Sequence, residues 1–125
     1  MKIFVFGNPE FEEDNLPLKI LPLLKKKFPE IDFEIKDPNE EWGNEENITA
    51  IDTVLGINDV TIFKNLSEFK KAPRFGMHDF DALANILHLQ KIGKIKKTVV
   101  IGLPKALPEK EALEKISQIL NSNSL

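Results

Sequence analysis

The sequence contains no cysteine among its 125 residues. Disulfide bonds, thiolate-bound zinc and thiol nucleophiles are therefore excluded together. A metal ion held by this chain must take its ligands from oxygen and nitrogen atoms. The absence of cysteine is also compatible with the reducing interior of a cell, and we expect a cytoplasmic protein.

The chain also lacks an excess of basic residues and any long apolar run. Its 17 Lys and Arg residues are outnumbered by 20 Asp and Glu residues, which gives a net charge of -3. Proteins that bind duplex nucleic acid are usually more basic. The apolar run at residues 3–6 is too short for a signal peptide, and no segment approaches the length needed to span a bilayer. We therefore expect neither nucleic-acid binding nor membrane insertion.

The spacing of apolar residues predicts alternating strands and helices. The continuous apolar run at residues 3–6 is typical of a strand that is buried on both faces, and we predict it to be the central strand. Residues 98–103 are predicted to form another buried strand. Apolar residues recur at helical spacing in residues 18–28 and 112–120, and Pro17 and Pro108 suit the first turns of these two helices.

Four further segments continue the pattern. Residues 31–35 alternate apolar and acidic side chains, which predicts a strand near an edge of the sheet. Residues 48–55 and 60–63 are two strand candidates, and the four residues between them are few enough for a hairpin. A helix is predicted to begin at Asp79 as its N-cap and to end at Gly93.

This order of elements predicts the fold class. Strands that alternate with helices indicate an α/β fold, a three-layer sandwich with a mostly parallel sheet and one antiparallel strand or hairpin. A length of 125 residues with 42% hydrophobic content suits one hydrophobic core. We expect a single domain over residues 1–125, and we expect it to be a monomer.

Three residues that can bind a metal ion are predicted to lie where strands end or helices begin. Asp14 ends the acidic turn 12–14 after the first strand, Asp52 lies at the strand end 50–53, and His78 stands just before the predicted helix. Ligand sites of α/β folds lie beyond the carboxyl ends of parallel strands. Two carboxylates and one imidazole can therefore converge on a divalent ion and leave coordination positions open.

Each of these residues also has a purely structural interpretation. An aspartate such as Asp14, just before a helix, can cap that helix. His78 can be a surface residue beside a helix start. Asp52 is harder to explain in this way, because a lone buried carboxylate costs several kcal/mol unless it is paired, hydrogen-bonded or metal-bound.

Two other functional classes fit the sequence poorly. A nucleotide-binding turn after the first strand needs glycines and a helix N-terminus that attracts phosphate. Here that turn carries Glu10, Glu12, Glu13 and Asp14, which repel an anion. A serine hydrolase of the α/β type needs a Gly-x-Ser-x-Gly elbow, which the sequence does not contain.

The motifs, taken in order, resemble those of the hydrogenase maturation endopeptidases. Members of this family remove the C-terminal extension of the large subunit of nickel-iron hydrogenases after nickel has been inserted. The matching segments are Gly7-Asn8-Pro9 with Glu13-Asp14, Ile51-Asp52, His78 before Asp79-Phe80, and Val99-Val100-Ile101-Gly102-Leu103-Pro104. The chain departs from the family after the second strand, where Asp37-Pro38-Asn39 replaces a glycine-containing turn and makes the backbone more rigid.

The resemblance implies a function and a set of site residues. It implies a peptide-bond hydrolase in which Asp14, Asp52 and His78 are both the catalytic residues and the metal ligands. The implied cofactor is nickel carried by the substrate, with zinc or another divalent ion as a ligand of the isolated protein. The implied partner is a hydrogenase large-subunit precursor. The alternative is a noncatalytic metal-sensing or protein-interaction domain with the same fold.

Overall fold

A computed structural model describes residues 1–7, 10, 15–36, 47–64, 74–75, 93 and 96–122 of the chain. These ranges contain six strands and two helices. In chain order they are β1 (Lys2–Val5), α1 (Leu16–Lys27), β2 (Asp32–Ile35), β3 (Asn47–Leu55), β4 (Thr61–Phe63), β5 (Arg74–Phe75), β6 (Lys97–Leu103) and α2 (Glu109–Asn121). The helix predicted to begin at Asp79 lies outside the described residues.

The strands form a mostly parallel sheet in the order β2-β1-β3-β6-β4. Strands β2, β1, β3 and β6 run parallel, whereas β4 is antiparallel to β6. The short strand β5 pairs antiparallel with the last two residues of β3. The predicted α/β fold with a mostly parallel sheet is confirmed.

Two details of the predicted sheet are wrong. Residues 48–55 and 60–63 do not form a hairpin, because β6 lies between β3 and β4 and takes β4 as its antiparallel neighbour. Strand β1 is an interior strand, but the central position belongs to β3, which is flanked by β1 and β6. The prediction that residues 31–35 lie near an edge is confirmed, since β2 is the outermost strand beside β1.

Helices α1 and α2 cover one face of the sheet. Pro17 is an early residue of α1, where its missing N–H removes no helical hydrogen bond, and three lysines occupy the last turn, where the helix dipole favours cations. The buried side chains of both helices join those of alternate strand positions in one apolar cluster, which contains Ile3, Val5, Leu16, Ile20, Leu21, Leu24, Phe28, Phe33, Ile51, Ile101, Leu103, Ala112 and Ile116.

The opposite face of the sheet is buried as well. Because successive side chains of a strand point to opposite faces, the positions between the members of that cluster lie on the second face. They are nearly all apolar and buried, namely Phe4, Phe6, Ile48, Ala50, Val54 and Val100. Burial on both faces is the property of a three-layer sandwich. Within the described residues, no helix is both long and apolar enough to cross a membrane.

Candidate functional site

Asp52 is the predicted site residue that the structure describes, and it lies on the second face of the sheet. It lies in β3 opposite Gly102 of β6. On the other side of β3, next to Asp52, strand β1 ends. Its last residue, Val5, pairs with Ile51, and the N–H of Phe6 donates to the Ile51 carbonyl oxygen at 3.0 Å. Strand β3 continues to Leu55. Asp52 is therefore inside its own strand and level with the end of β1, which corrects the predicted strand-end position.

The gap between β1 and β3 is the topological switch point of the sheet. From β1 the chain passes through α1 to β2 on one side, whereas β3 and β6 lie on the other side. Connections that diverge in this way leave a crevice at the carboxyl ends of the two strands, and ligands of open α/β sheets bind there. The topology thus puts the Asp52 carboxylate beside the place where this fold binds ligands.

Asp52 is buried, and described apolar residues lie on the same face of the sheet. The residue is only 4% exposed, and Phe6 and Val54 are buried on the same face of the sheet. The backbone N–H of Thr53 donates to its Oδ1 at 2.8 Å, which fixes the orientation of the carboxylate. Burial of a carboxylate in such surroundings is costly for folding. Such a carboxylate has to be paired, hydrogen-bonded or bound to a metal, and the role of Asp52 as a metal ligand stays a prediction.

Gly102 is the neighbour of Asp52 on β6 and has no room for a side chain. A Cβ atom at this position would lie 2.8 Å from Val54 Cγ2 and 2.9 Å from Phe63 Cε2. Both distances are shorter than ordinary contacts between carbon atoms. The glycine therefore allows Val54 and Phe63 to close over β6 beside Asp52, which is a packing reason for the Gly-Leu-Pro motif seen in the sequence.

The other two predicted ligands, Asp14 and His78, lie outside the described residues, as does the Asp37-Pro38-Asn39 segment. Among the residues that the structure does describe, no three His, Cys, Asp or Glu side chains come together as a metal site. Convergence of Asp14, Asp52 and His78 stays a prediction. Ligands of one ion each lie about 2 Å from it, so the three side-chain heads are expected within roughly 7 Å of one another.

A cavity of about 290 Å³ lies at the carboxyl ends of β3 and β6. Residues 56–58 of the turn after β3 form one side, and residues 104–107 of the loop before α2 form the other. Both segments lie between elements predicted from the sequence, but the sequence does not indicate that they are close in space. That juxtaposition depends on the parallel pairing of β3 with β6, which places the two strand ends side by side.

The turn after β3, beside this cavity, is joined to α2 by an ion pair between Asp59 and Lys115. Lys115 donates to the Asp59 carboxylate, which also accepts the N–H of Val60 at 2.8 Å. The hydrogen bond from Lys115 and then that from Val60 hold the pKa of Asp59 below 3.8. Glu111 lies 3.6 Å from the same Lys115 ammonium and adds a second contact within the helix. The turn is thus held in place relative to the helix.

We expect Asp59→Asn to destabilise the protein slightly at pH 7 and by less at pH 3. A carboxyl group whose pKa is lowered by folding stabilises the folded state above its unfolded pKa, and this contribution disappears as the pH falls below 3.8. The effect is small because the pair is exposed to solvent. Urea unfolding of the wild type and the Asp59→Asn variant at the two pH values measures the difference in the free energy of unfolding. Glu111→Gln, which removes the other carboxylate near Lys115, is the matched control. An equal difference at pH 7 and pH 3 would assign the effect to something other than this charge.

The arrangement defines a class of protein: a three-layer α/β domain with a buried carboxylate at the switch point of its sheet. The structure is similar to that of the hydrogenase maturating endopeptidase HybD from E. coli, with a TM-score of 0.62, 15% identity, and coverage of 98% of this chain and 94% of that one. The chain thus has the fold of a hydrogenase maturation endopeptidase.

Two further solved structures are similar over nearly the whole chain. The solution structure of an endopeptidase from Escherichia coli gives a TM-score of 0.60 at 15% identity and covers 100% of this chain and 95% of that one. An uncharacterized protein from Wolinella succinogenes gives 0.59 at 17% identity, with coverage of 97% and 96%. No family model and no curated protein sequence matches the chain.

Proposed function

We propose that this chain is an endopeptidase that removes the C-terminal extension of a nickel-iron hydrogenase large subunit after nickel insertion. The observation that carries the proposal is Asp52, a carboxylate buried at the switch point of the same fold as HybD. It stands where the sequence motif of the family also has a carboxylate. The proposal places the protein in the cytoplasm, with a large-subunit precursor as its partner.

In this proposal Asp14, Asp52 and His78 recognise the nickel that the substrate already carries. A set of two carboxylates and one imidazole suits nickel or zinc better than calcium, because imidazole prefers transition metals. Three protein ligands leave coordination positions for groups of the substrate. The Thr53 N–H holds the Asp52 carboxylate in one orientation, so this ligand is fixed before the substrate arrives.

Cleavage is assigned to the same residues. A bound divalent ion supplies Lewis acidity for the scissile carbonyl or a water molecule. One of the two carboxylates then accepts a proton from the attacking water as general base.

The metal site is tested by calorimetric titration of the purified protein with nickel at pH 7.5 and pH 5.5. Imidazole binds metal when neutral and carboxylates when ionised, so nickel binding should weaken below about pH 6 as His78 is protonated. The affinity is expected to be modest, because three ligands do not complete a coordination shell. Asp52→Asn should weaken binding at pH 7.5, and zinc should be tested in parallel.

If no nickel binding is measured at either pH value, a second experiment decides whether the site needs the nickel of the substrate. A nickel-loaded precursor is then added, and a complex is sought by size-exclusion chromatography. If the site is completed by the substrate's own nickel, the complex forms with this precursor and disappears when the precursor lacks nickel. Absence of a complex with either precursor would refute the proposed recognition. A complex that forms equally with both would favour a protein-interaction domain.

A further inference from the structure

The exposed surface of helix α1 carries four lysines and no acidic residue. The four are Lys19, Lys25, Lys26 and Lys27. In the part of the chain that the structure describes, none of them forms an ion pair, whereas Lys2 and Lys115 are both paired with carboxylates. The whole chain has a net charge of -3, so without the four charges of α1 the remainder carries -7. Positive charge is thus concentrated on one helix of an otherwise acidic protein.

An apolar patch lies among these lysines. Pro22 and Leu23 are exposed, and the exposed fraction of Leu23 is 46%. Residues three or four positions apart are neighbours on the surface of a helix. Leu23 is therefore surrounded by three of the lysines, namely Lys19, Lys26 and Lys27. These five residues form the outer face of α1, and at the rise of a helix Lys19 and Lys26 are about 10 Å apart.

The stability of the helix explains only part of this surface. The lysines at positions 25–27 occupy the last turn, where the helix dipole favours cations. Lys19 lies in the first half of the helix, where the dipole gives it no advantage. Pro22 lies inside the helix, where it cannot donate an N–H to the Leu18 carbonyl oxygen and is unfavourable. An apolar patch with a polar rim is typical of an interaction surface.

The distribution of charge favours an acidic polypeptide as the partner. A nucleic-acid duplex or a membrane presents a broad anionic surface, which the acidic remainder of the chain repels. A polypeptide segment can instead lie along one helix. Two carboxylates about 10 Å apart match Lys19 and Lys26, and an apolar side chain between them covers Leu23. About three residues of an extended chain span this distance.

We propose that the outer face of α1 is a docking surface for an acidic segment of the hydrogenase large-subunit precursor, in which an apolar side chain lies between carboxylates. The inference rests on the proposed function, which supplies the identity of the partner. Helix α1 packs on the face of the sheet that carries Ile51, and Asp52 lies on the other face. The docking surface therefore holds a part of the precursor that is remote from the cleaved bond. It strengthens association and leaves the chemical step unchanged.

Short peptides titrated into the ¹⁵N-labelled protein test this surface by NMR without a precursor. The probe is acetyl-Glu-Glu-Leu-Glu-Glu-amide, and it should shift the amide signals of Lys19, Leu23 and Lys26. A control with glutamine in place of glutamate should bind about tenfold more weakly, because it has no carboxylate. A control with glycine in place of leucine should bind about threefold more weakly, because it buries less apolar surface. Shifts that are absent or that lie elsewhere would overturn the docking surface.

Charge reversal on the docking surface has a matched control elsewhere on the protein. Lys19→Glu/Lys26→Glu should abolish the shifts caused by the probe, whereas Lys97→Glu/Lys110→Glu makes the same change on two exposed lysines outside α1 and should leave them unchanged. Lys19→Gln/Lys26→Gln removes the charges without reversing them and should weaken the probe about tenfold, which keeps the test valid if charge reversal disturbs the helix. An equal loss in the Lys97→Glu/Lys110→Glu variant would assign binding to net charge and overturn the docking surface.

Two other anions test the class of the partner. A thymidine pentanucleotide, which matches the probe in charge, and vesicles of phosphatidylglycerol and phosphatidylcholine are titrated under the same conditions. Both should bind more weakly than the probe, because neither places an apolar side chain between its negative charges at the level of Leu23. Tighter binding of either one, lost in the Lys19→Glu/Lys26→Glu variant, would overturn the assignment to a polypeptide.

Failure of the docking surface and failure of the proposed function give different results. In precursor processing, Lys19→Glu/Lys26→Glu should raise KM about tenfold and leave kcat unchanged, because the surface is remote from the cleaved bond. A precursor that the wild type binds but does not cleave, and that this variant does not bind, would remove the protease and leave the docking surface standing. Cleavage with an unchanged KM in this variant would leave the protease standing and overturn the docking surface.

Discussion

Replacement of Asp52 by asparagine is expected to lower the rate of precursor processing by roughly 100-fold or more, because the proposal makes Asp52 a ligand of the substrate's nickel and the loss of such a ligand costs several kcal/mol. The fold should not suffer. Asparagine has nearly the same shape, its Oδ1 can still accept the Thr53 N–H, and the cost of a buried charge is removed. We expect the free energy of unfolding to stay within about 1 kcal/mol of wild type or to rise. Processing is measured on a nickel-loaded precursor, and stability by urea unfolding.

Thr98→Val is the matched control for this substitution. Thr98 is buried on the same face of the sheet, at the opposite end of β6, and its Oγ1 has no hydrogen-bond partner in the part of the chain described by the structure. Valine keeps the shape, so neither stability nor processing should fall.

His78→Ala should lose processing as Asp52→Asn does and keep stability within about 1 kcal/mol. Unchanged processing by the Asp52→Asn variant would contradict the proposed role of Asp52 in cleavage. Global unfolding of that variant would indicate that Asp52 has a structural role.

The second large effect is expected at Gly102. Gly102→Ala should destabilise the protein by about 1–3 kcal/mol, because the added methyl group overpacks a filled region. The close contacts are with Val54 Cγ2 at 2.8 Å and Phe63 Cε2 at 2.9 Å, and Phe63 belongs to the edge strand β4. Urea unfolding of the purified variant measures the loss.

A double-mutant cycle with Val54→Ala shows whether crowding is the cause. Removal of the Val54 methyl groups destabilises the protein by itself, since Val54 is fully buried. It also makes room for the new methyl group, so the double variant should be less destabilised than the sum of the two single variants. Strict additivity would show that the contact with Val54 does not cause the loss.

Helices and strands could be predicted from the sequence where their apolar pattern lies within one segment. The pairing of the strands could not be predicted, because it depends on segments that are far apart in the chain. Residues 98–103 and 112–120 were assigned correctly, because a continuous apolar run and a helical repeat each reflect burial within one segment. The short connection between residues 55 and 60 permits a hairpin but does not require one. Strand β6 is long and is buried from Thr98 to Leu103, so it needs neighbours on both sides. Strand β4 has three residues and is half-buried, which suits the end of the sheet.

The same limit applies to the candidate site. Asp52 could be singled out because one charged residue in an apolar strand is visible in the sequence alone, and the structure confirms that it is buried. The cavity could not be predicted, because its two walls come from segments about 50 residues apart whose approach depends on β3 pairing with β6. Strand β5 has two residues, which is too few for any periodicity.

The measurement that tests the endopeptidase most directly is the intact mass of a hydrogenase large-subunit precursor after incubation with the purified protein. Two precursor samples are compared, one loaded with nickel and one without. We predict that the nickel-loaded precursor loses the mass of its C-terminal extension by a single cleavage, while the nickel-free precursor keeps its full mass. An unchanged mass for the nickel-loaded precursor, under conditions in which the two proteins form a complex, would contradict a protease and identify a noncatalytic binding domain.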